Sequence, residues 1–243
     1  MLGCSGTYPG PGSACTGYLV QSGGTNVLLD CGPGAIANLQ RHLDLRALDA
    51  VVITHSHPDH WVELPVLRNI WKWVLRSEGR LPVVTTADTW RMAGVAGGGG
   101  IDDTFAPTIV SDGGDTTIGT QRWRFSRTDH PVETLAVRVD DRGRSFAFSS
   151  DTGTAWSLES LAAGDEGLDL AFVESTYTRA TYPGWVQHLT AADAGATATA
   201  AGVRHLVLTH LLPGEDPAAH RAEAATTFGG SLSVATLHER YEA

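Results

Sequence analysis

The run His55-Ser56-His57-Pro58-Asp59-His60 places three imidazoles and a carboxylate within six residues. It follows directly on Leu48-Asp49-Ala50-Val51-Val52-Ile53-Thr54, whose apolar, β-branched centre reads as a buried strand. A metal-binding loop hung from a strand end is the chemistry this pattern suggests. On an extended segment side chains at i and i+2 point the same way, so His55 and His57 can share one ion. The bend favoured at Pro58 then swings Asp59 and His60 toward a second. Imidazole suits zinc and its borderline neighbours, whereas a carboxylate accepts zinc, manganese or iron alike. The alternative is a polar surface run that happens to contain histidine.

Three later segments share one grammar, an apolar strand ending in a ligand-capable residue at a turn. They are Arg127-Thr128-Asp129-His130-Pro131, Phe148-Ser149-Ser150-Asp151-Thr152-Gly153 and Val207-Leu208-Thr209-His210-Leu211. Strand ends gather along one edge of a sheet, so residues distant in sequence can meet around an ion pair. Taken singly, a strand-end histidine is more often a satisfied hydrogen-bonding residue, and an Asp before Thr-Gly a turn residue. Their order and neighbours change that weighting.

In that order the motifs resemble the metallo-β-lactamase superfamily, and within it the ribonuclease Z-like phosphodiesterases, over nearly the whole chain. The resemblance implies that His55, His57 and His130 bind one divalent ion and Asp59, His60 and His210 a second, with Asp151 bridging them. Zinc is the implied metal, with manganese or iron as alternatives. Gly3-Cys4-Ser5-Gly6-Thr7 and Leu29-Asp30-Cys31-Gly32 also look like this family. The implied fold is α/β, a four-layer αββα sandwich in one domain spanning residues 1–243, with its site at one edge of the two sheets.

His188 in His188-Leu189-Thr190 is similar to a phosphodiesterase motif whose histidine protonates the leaving oxygen, and Glu174 in Val173-Glu174-Ser175-Thr176 to the carboxylate that orients it. An imidazole paired with a carboxylate keeps its proton in a defined tautomer and gains basicity, as a general acid for an alkoxide must. The bland alternatives are a loop histidine and a strand-end surface charge. Two departures from the family matter. Ribonuclease Z carries a long tRNA-gripping arm between the positions matching His130 and Asp151, where only a hairpin fits here. Ser150 stands where the family usually has glycine, which is expected to shift the bridging carboxylate.

Bulk properties narrow the partners. The chain has 243 residues, 42% of them hydrophobic and 18% charged, enough for one full core and unlike a disordered chain. A formal net charge of -10 argues against long nucleic acids, whose affinity comes from Lys and Arg displacing counterions. A small phosphodiester or ester substrate is compatible, because bound metal ions supply positive charge locally. The sequence has neither a membrane-spanning apolar run nor a signal-like start, and Cys4, Cys15 and Cys31 form no paired framework, so a cytoplasmic protein with reduced thiols is expected. A homodimer is the expectation by analogy.

Elements that must position these residues follow from the patterning. Gly17 to Gln21 and Asn26 to Asp30 read as a hairpin around Ser22-Gly23-Gly24-Thr25, followed by a helix from Gly34 to Leu43. Val62, Leu64, Leu67, Ile70, Trp71, Val74 and Leu75 predict an amphipathic helix over Trp61 to Ser77, interrupted near Pro65. A strand at Val83 to Thr85 and a helix at Ala87 to Ala93 lead to Gly97-Gly98-Gly99-Gly100, expected as a mobile loop near the site. Strands are predicted at Gln121 to Arg127, Thr134 to Val139, Ser145 to Ser149, Leu168 to Val173, His205 to Thr209 and near Leu232 to Leu237. Helices are predicted at Thr190 to Ala201, opened by a capping box, and at Pro217 to Thr227.

The leading expectation is a dinuclear metal hydrolase, a phosphodiesterase cleaving a small diester such as a cyclic nucleotide by attack of a metal-bridging hydroxide. His188 and Glu174 would assist departure, and Asp59 would help orient the water. An ester, thioester or lactone hydrolase needs the same metals without His188, and a ribonuclease Z-type tRNA 3′ endonuclease is a further alternative. A metal-bound scaffold working through Trp61, Trp71 and Trp73 belongs to another class. His42, His205, His220 and His238 read as structural or surface residues.

Overall fold

Ala50-Val51-Val52-Ile53 is buried along its whole length, as a strand covered on both faces must be. In the computed structural model, which describes residues 1–162 and 167–243, it lies at the centre of a five-stranded sheet. Numbered in chain order, this sheet holds β1 (Tyr18–Ser22), β2 (Thr25–Leu29), β3 (Ala50–Ile53), β4 (Leu81–Thr85) and β5 (Phe105–Ile109), side by side in that sequence. The β1–β2 hairpin is antiparallel and the remaining neighbours are parallel.

A second sheet has seven strands in the order β12-β11-β10-β9-β8-β7-β6. They are β6 (Asp115–Ile118), β7 (Gln121–Arg127), β8 (Leu135–Asp141), β9 (Arg144–Phe148), β10 (Leu170–Glu174), β11 (His205–Thr209) and β12 (Ser231–Val234). Strands β6 to β9 pair antiparallel and β9 to β12 parallel. The half that carries the site is therefore built like the parallel part of the first sheet.

Alternation along the strands sets the layers. Val27, Leu29, Ala50 and Val52 face Trp123, Phe125, Val137, Phe148 and Phe172 between the sheets. Their neighbours Leu28, Val51 and Ile53 face outward against helical residues such as Ile36, Leu39, Leu64 and Leu67. On the far side Ala171, Val173, Leu206 and Leu208 pack on Ala191, Ala194, Ala198 and Ala224. Helices α1 (Ala35–Leu39), α2 (Pro58–Trp61), α3 (Leu64–Asn69) and α4 (Ala87–Ala96) cover one sheet, and α5 (Ala191–Ala200) and α6 (Pro217–Ala224) the other. This is the expected αββα sandwich. The Thr190–Asp193 capping box opens α5 as expected.

Three local expectations change. The segment after the metal loop is interrupted near Pro65 as expected, with α2 ending at Trp61 and α3 restarting with Pro65 in its first turn, but a π-helical turn over Ile70–Val74 adds a second break. Proline is tolerated there because first-turn amides have no intrahelical partner. The breaks rotate the apolar stripe, so Leu64, Leu67 and Trp71 are buried while Val62 and Val74 are 39% and 70% exposed. The glycine run is a turn in which Gly98, Gly99 and Gly100 have φ of 73°, 79° and 78°. The Gly100 carbonyl accepts from Arg68 of α3, so that turn is tied to a helix. Strands β5 and β6 were not anticipated: both are short edge strands, one interrupted by Pro107 and the other half-exposed.

No helix among the described residues is long and apolar enough to cross a membrane. Of the three tryptophans considered for a scaffold surface, Trp61 and Trp71 are buried, with indole N–H groups donating to the Ser56 and Gly79 carbonyls, whereas Trp73 is exposed. The Trp61 bond, at 2.7 Å, pins the centre of the histidine loop. Trp61→Phe leaves a buried carbonyl without that donor and should cost about 1–3 kcal/mol of stability. Urea denaturation of the metal-free protein measures it, and an unchanged midpoint would mean the bond contributes nothing.

Candidate metal centre

Six strands deliver the cluster. Asp30 follows β2, His55 and His57 follow β3, His130 follows β7, Asp151 follows β9, Glu174 ends β10 and His210 follows β11. His57 caps α2 and Pro58 begins it, so Asp59 and His60 leave the extended line and turn inward on a helical bend. The register that pairs Glu174 with Thr209 sets β10 and β11 to finish together, placing Glu174 and Thr176 beside His210.

All seven expected ligands converge. Donor atoms of His55, His57, His130 and Asp151 lie within 4.8 Å of one another, as do those of Asp59, His60 and His210. Asp151 divides its oxygens between the two groups: Oδ2 is 3.6 Å from His55 Nε2 and 3.9 Å from His130 Nε2, while Oδ1 is 3.2 Å from His60 Nε2 and 3.3 Å from His210 Nε2. Nitrogens bound tetrahedrally to one zinc at roughly 2.0–2.1 Å stand about 3.3 Å apart. His60 Nε2 and His210 Nε2 are 3.3 Å apart, and His57 Nδ1 and His130 Nε2 are 3.0 Å apart.

The outer nitrogens settle which atoms face inward. His60 Nδ1–H donates to Asp30 Oδ2 (2.7 Å), and the Nδ1 atoms of His55, His210 and His130 lie 3.1, 3.0 and 3.3 Å from Thr54 Oγ1, Thr176 Oγ1 and the Gln187 carbonyl. Each of these four rings thus turns Nε2 to the cluster, as ligand imidazoles do. Two of the atoms so presented, His55 Nε2 and Asp151 Oδ1, are buried with no hydrogen-bond partner. Orphaned buried polar atoms are costly unless something else satisfies them, and a cation fits both.

Charge points the same way. Asp30, Asp59, Asp151 and Glu174 are all buried, and among the described residues their ion-pair partners are histidines, with no Lys or Arg. Burial drives the His55 imidazole well below its ordinary pKa, and the same cause lowers His57 and His130, leaving neutral ligands. Burial acts likewise on His60, but Asp151, Asp59 and Asp30 outweigh it and raise this group well above its usual value. A field that favours a second proton on His60 favours a metal cation in the same place. For Asp59 burial works upward, yet His60 and His210 hold the carboxyl below its ordinary range. Asp151 is held well below despite burial, by His210, His60 and His55.

Glu174 is no surface charge. It is fully buried and accepts from the Thr152 amide (2.8 Å), the Thr176 hydroxyl (2.7 Å), the Leu189 amide (3.2 Å) and His188 Nδ1 (2.9 Å). Burial opposes the charged form of His188, but Glu174 prevails and the imidazole is pushed up to about 9. His188 also groups with Asp151 and His210, and its ring stacks on His210 with centroids 5.6 Å apart. His220 is buried between Ser175 Oγ and Glu215, a structural role, and His42 and His238 bond each other at the surface.

Residues that sequence reasoning did not place in the site are those behind the ligands: Asp30, Thr54, Thr176, Gln187 and the Gly6–Thr7 turn. The Thr7 amide donates to Asp59 Oδ2 at 2.8 Å. A Cβ at Gly6 would stand 2.6 Å from the His210 carbonyl oxygen, so only glycine admits this close crossing. The signals available were the Gly3-Cys4-Ser5-Gly6-Thr7 run and Asp30, an acid closing an apolar strand. Its φ of 57° turns the chain, and its side chain reaches the next strand's end.

Residues 25–211 match the family model described as the beta-lactamase superfamily domain, and the chain belongs to this family. It is 34% identical to the uncharacterized protein Rv1339 of Mycobacterium tuberculosis, covering 100% of this chain and 90% of that one. Ribonuclease Z of Mycobacterium bovis is 31% identical, with 100% of this chain and 96% of the ribonuclease covered. The crystal structure of the metallo-beta-lactamase fold protein YhfI from Bacillus subtilis superposes with a TM-score of 0.86 at 27% identity, over 97% of this chain and 94% of that one. Family and relatives together indicate a metallo-hydrolase, and the His/Asp cluster suits divalent metal ions. Because Asp151 faces both groups, Asp151→Ala should abolish metal retention. Elemental analysis after desalting checks this, and a full complement of metal in the variant would contradict it.

Proposed function

We propose that the protein is a dinuclear metal-dependent phosphodiesterase acting on a small diester such as a cyclic nucleotide. In this assignment His55, His57 and His130 hold one ion, Asp59, His60 and His210 the other, and Asp151 touches both. Zinc is the first choice and manganese or iron the alternatives. When bound, two such ions supply Lewis acidity toward the phosphoryl oxygens and acidify water to near neutrality.

The observation that carries the reading is the His188–Glu174 pair at the edge of the cluster. Glu174 Oε1 accepts the Nδ1–H at 2.9 Å, which leaves Nε2 as the proton donor to a departing alkoxide. Phosphodiester cleavage needs that proton because an alkoxide is a poor leaving group. The Thr7 amide fixes Asp59 Oδ2, which supports a role for Asp59 in orienting the attacking water. Asp151, with one oxygen toward each donor group, supports a count of two.

Substrate size follows from what lies between His130 and Asp151. The regular structure there is the β8–β9 hairpin, Leu135 to Phe148. The mycobacterial ribonuclease Z aligns over 273 positions against 243 residues here, so it carries segments without a counterpart in this chain. With a formal net charge of -10, a small diester is favoured over tRNA.

His188→Ala should retain both ions and slow diester cleavage by roughly 10²–10⁴-fold, the usual contribution of a positioned general acid. The test compares a chromogenic phosphodiester, cyclic nucleotides, an acyl ester and a precursor tRNA on zinc- and manganese-loaded protein. Activity on the acyl ester alone would overturn the phosphodiesterase reading, cleavage of the precursor tRNA would overturn the small substrate, and undiminished diester cleavage by His188→Ala would remove the general acid.

A further inference from the structure

Ser150 adopts φ 51°, in the left-handed region that glycine enters freely and a side chain resists. It is completely buried, and it immediately precedes Asp151. A strained, buried serine persists only where its surroundings hold it. Here the hydroxyl is what they hold. Ser150 Oγ donates to Thr54 Oγ1 at 2.8 Å and lies 3.4 Å from His55 Nδ1.

Thr54 Oγ1 carries one hydrogen and two lone pairs. Ser150 occupies one lone pair, and His55 Nδ1–H, 3.1 Å away, addresses the other. The remaining Thr54 proton goes to Asp30 Oδ2 at 2.9 Å, while the Thr54 amide donates to Asp30 Oδ1 at 2.8 Å. The same Asp30 Oδ2 accepts from His60 Nδ1–H at 2.7 Å. His55 and His60, one imidazole from each ligand group, therefore hang on a single buried carboxylate through one run of hydroxyls.

We propose that Ser150 is a positioning residue of the metal centre. Its hydroxyl completes a Ser150–Thr54–Asp30 relay that keeps His55 in the Nδ1–H tautomer and locks it to His60. Both ion positions are thereby preformed before metal arrives. The inference rests on the dinuclear reading above.

Two substitutions separate the hydroxyl from the backbone. Ser150→Gly removes the hydroxyl and relieves the left-handed strain, so it folds; Ser150→Ala removes the hydroxyl and keeps the strain. Zinc affinity is read by competition with a chromophoric chelator, alongside the melting temperature of the metal-free proteins. Both variants should bind zinc about 10- to 100-fold more weakly than the parent, the usual effect of losing an outer-shell partner, with Ser150→Ala melting below Ser150→Gly. Histidine ¹⁵N shifts of metal-free Ser150→Gly should show His55 losing its fixed Nδ1–H tautomer. If the parent binds two ions and Ser150→Gly binds them as tightly with the same His55 tautomer, the relay is wrong. If the parent itself binds no zinc, the underlying metal reading fails instead.

Discussion

The structure turns on buried carboxylates that no lysine or arginine among the described residues neutralises. Asp30, Asp59, Asp151 and Glu174 lie in one region, and the described residues give them imidazoles and hydrogen-bond donors but no Lys or Arg. Taking a carboxylate out of water costs several kcal/mol, and hydrogen bonds recover only part of that. Cations placed among the inward-facing nitrogens remove the deficit and also satisfy the otherwise orphaned His55 Nε2 and Asp151 Oδ1. The charge and the unpaired atoms thus point to the same place between the two donor groups.

The sandwich exists in a form that can meet this demand. Parallel strands end together, so β2, β3, β9, β10 and β11 bring their following residues to one edge without long loops. Strain collects there: Asp30, Ser150 and His210 are non-glycine residues with φ of 57°, 51° and 62°, each directly after or within two residues of a strand end. Left-handed backbone at such positions is held only by strong local contacts. Each of these residues has them, Asp30 and Ser150 through Thr54, and His210 through Thr176. Behind the edge, the inter-sheet aromatics Trp123, Phe148 and Phe172 supply the rigid support.

Much of this was legible in the chain. The apolar runs and turns mark where the strands end, the family resemblance implies which of His55, His130, Asp151 and His210 meet there, and the capping box marks the start of α5. What could not be read were contacts with no periodic signature. Thr54, Thr176 and Gln187 act through hydrogen bonds to Asp30, His210 and His130 across chain separations that only the fold brings together. In the helix after the metal loop the break near Pro65 is legible, but the π-helical turn over Ile70–Val74 is not, because the apolar spacing runs straight through it. The pairing of Glu174 with His188 is what the resemblance implies, but its burial is not written in the sequence, because it depends on the loop bearing His188 folding back over it.

The proposed centre holds two cations in the space shared by Asp151. Anomalous diffraction at the metal absorption edge from crystals of the zinc-loaded protein tests it directly. The account predicts two peaks, one among His55, His57 and His130 and one among Asp59, His60 and His210, with one oxygen of Asp151 bonded to each. A single peak, or zinc bound away from Asp151, would contradict it.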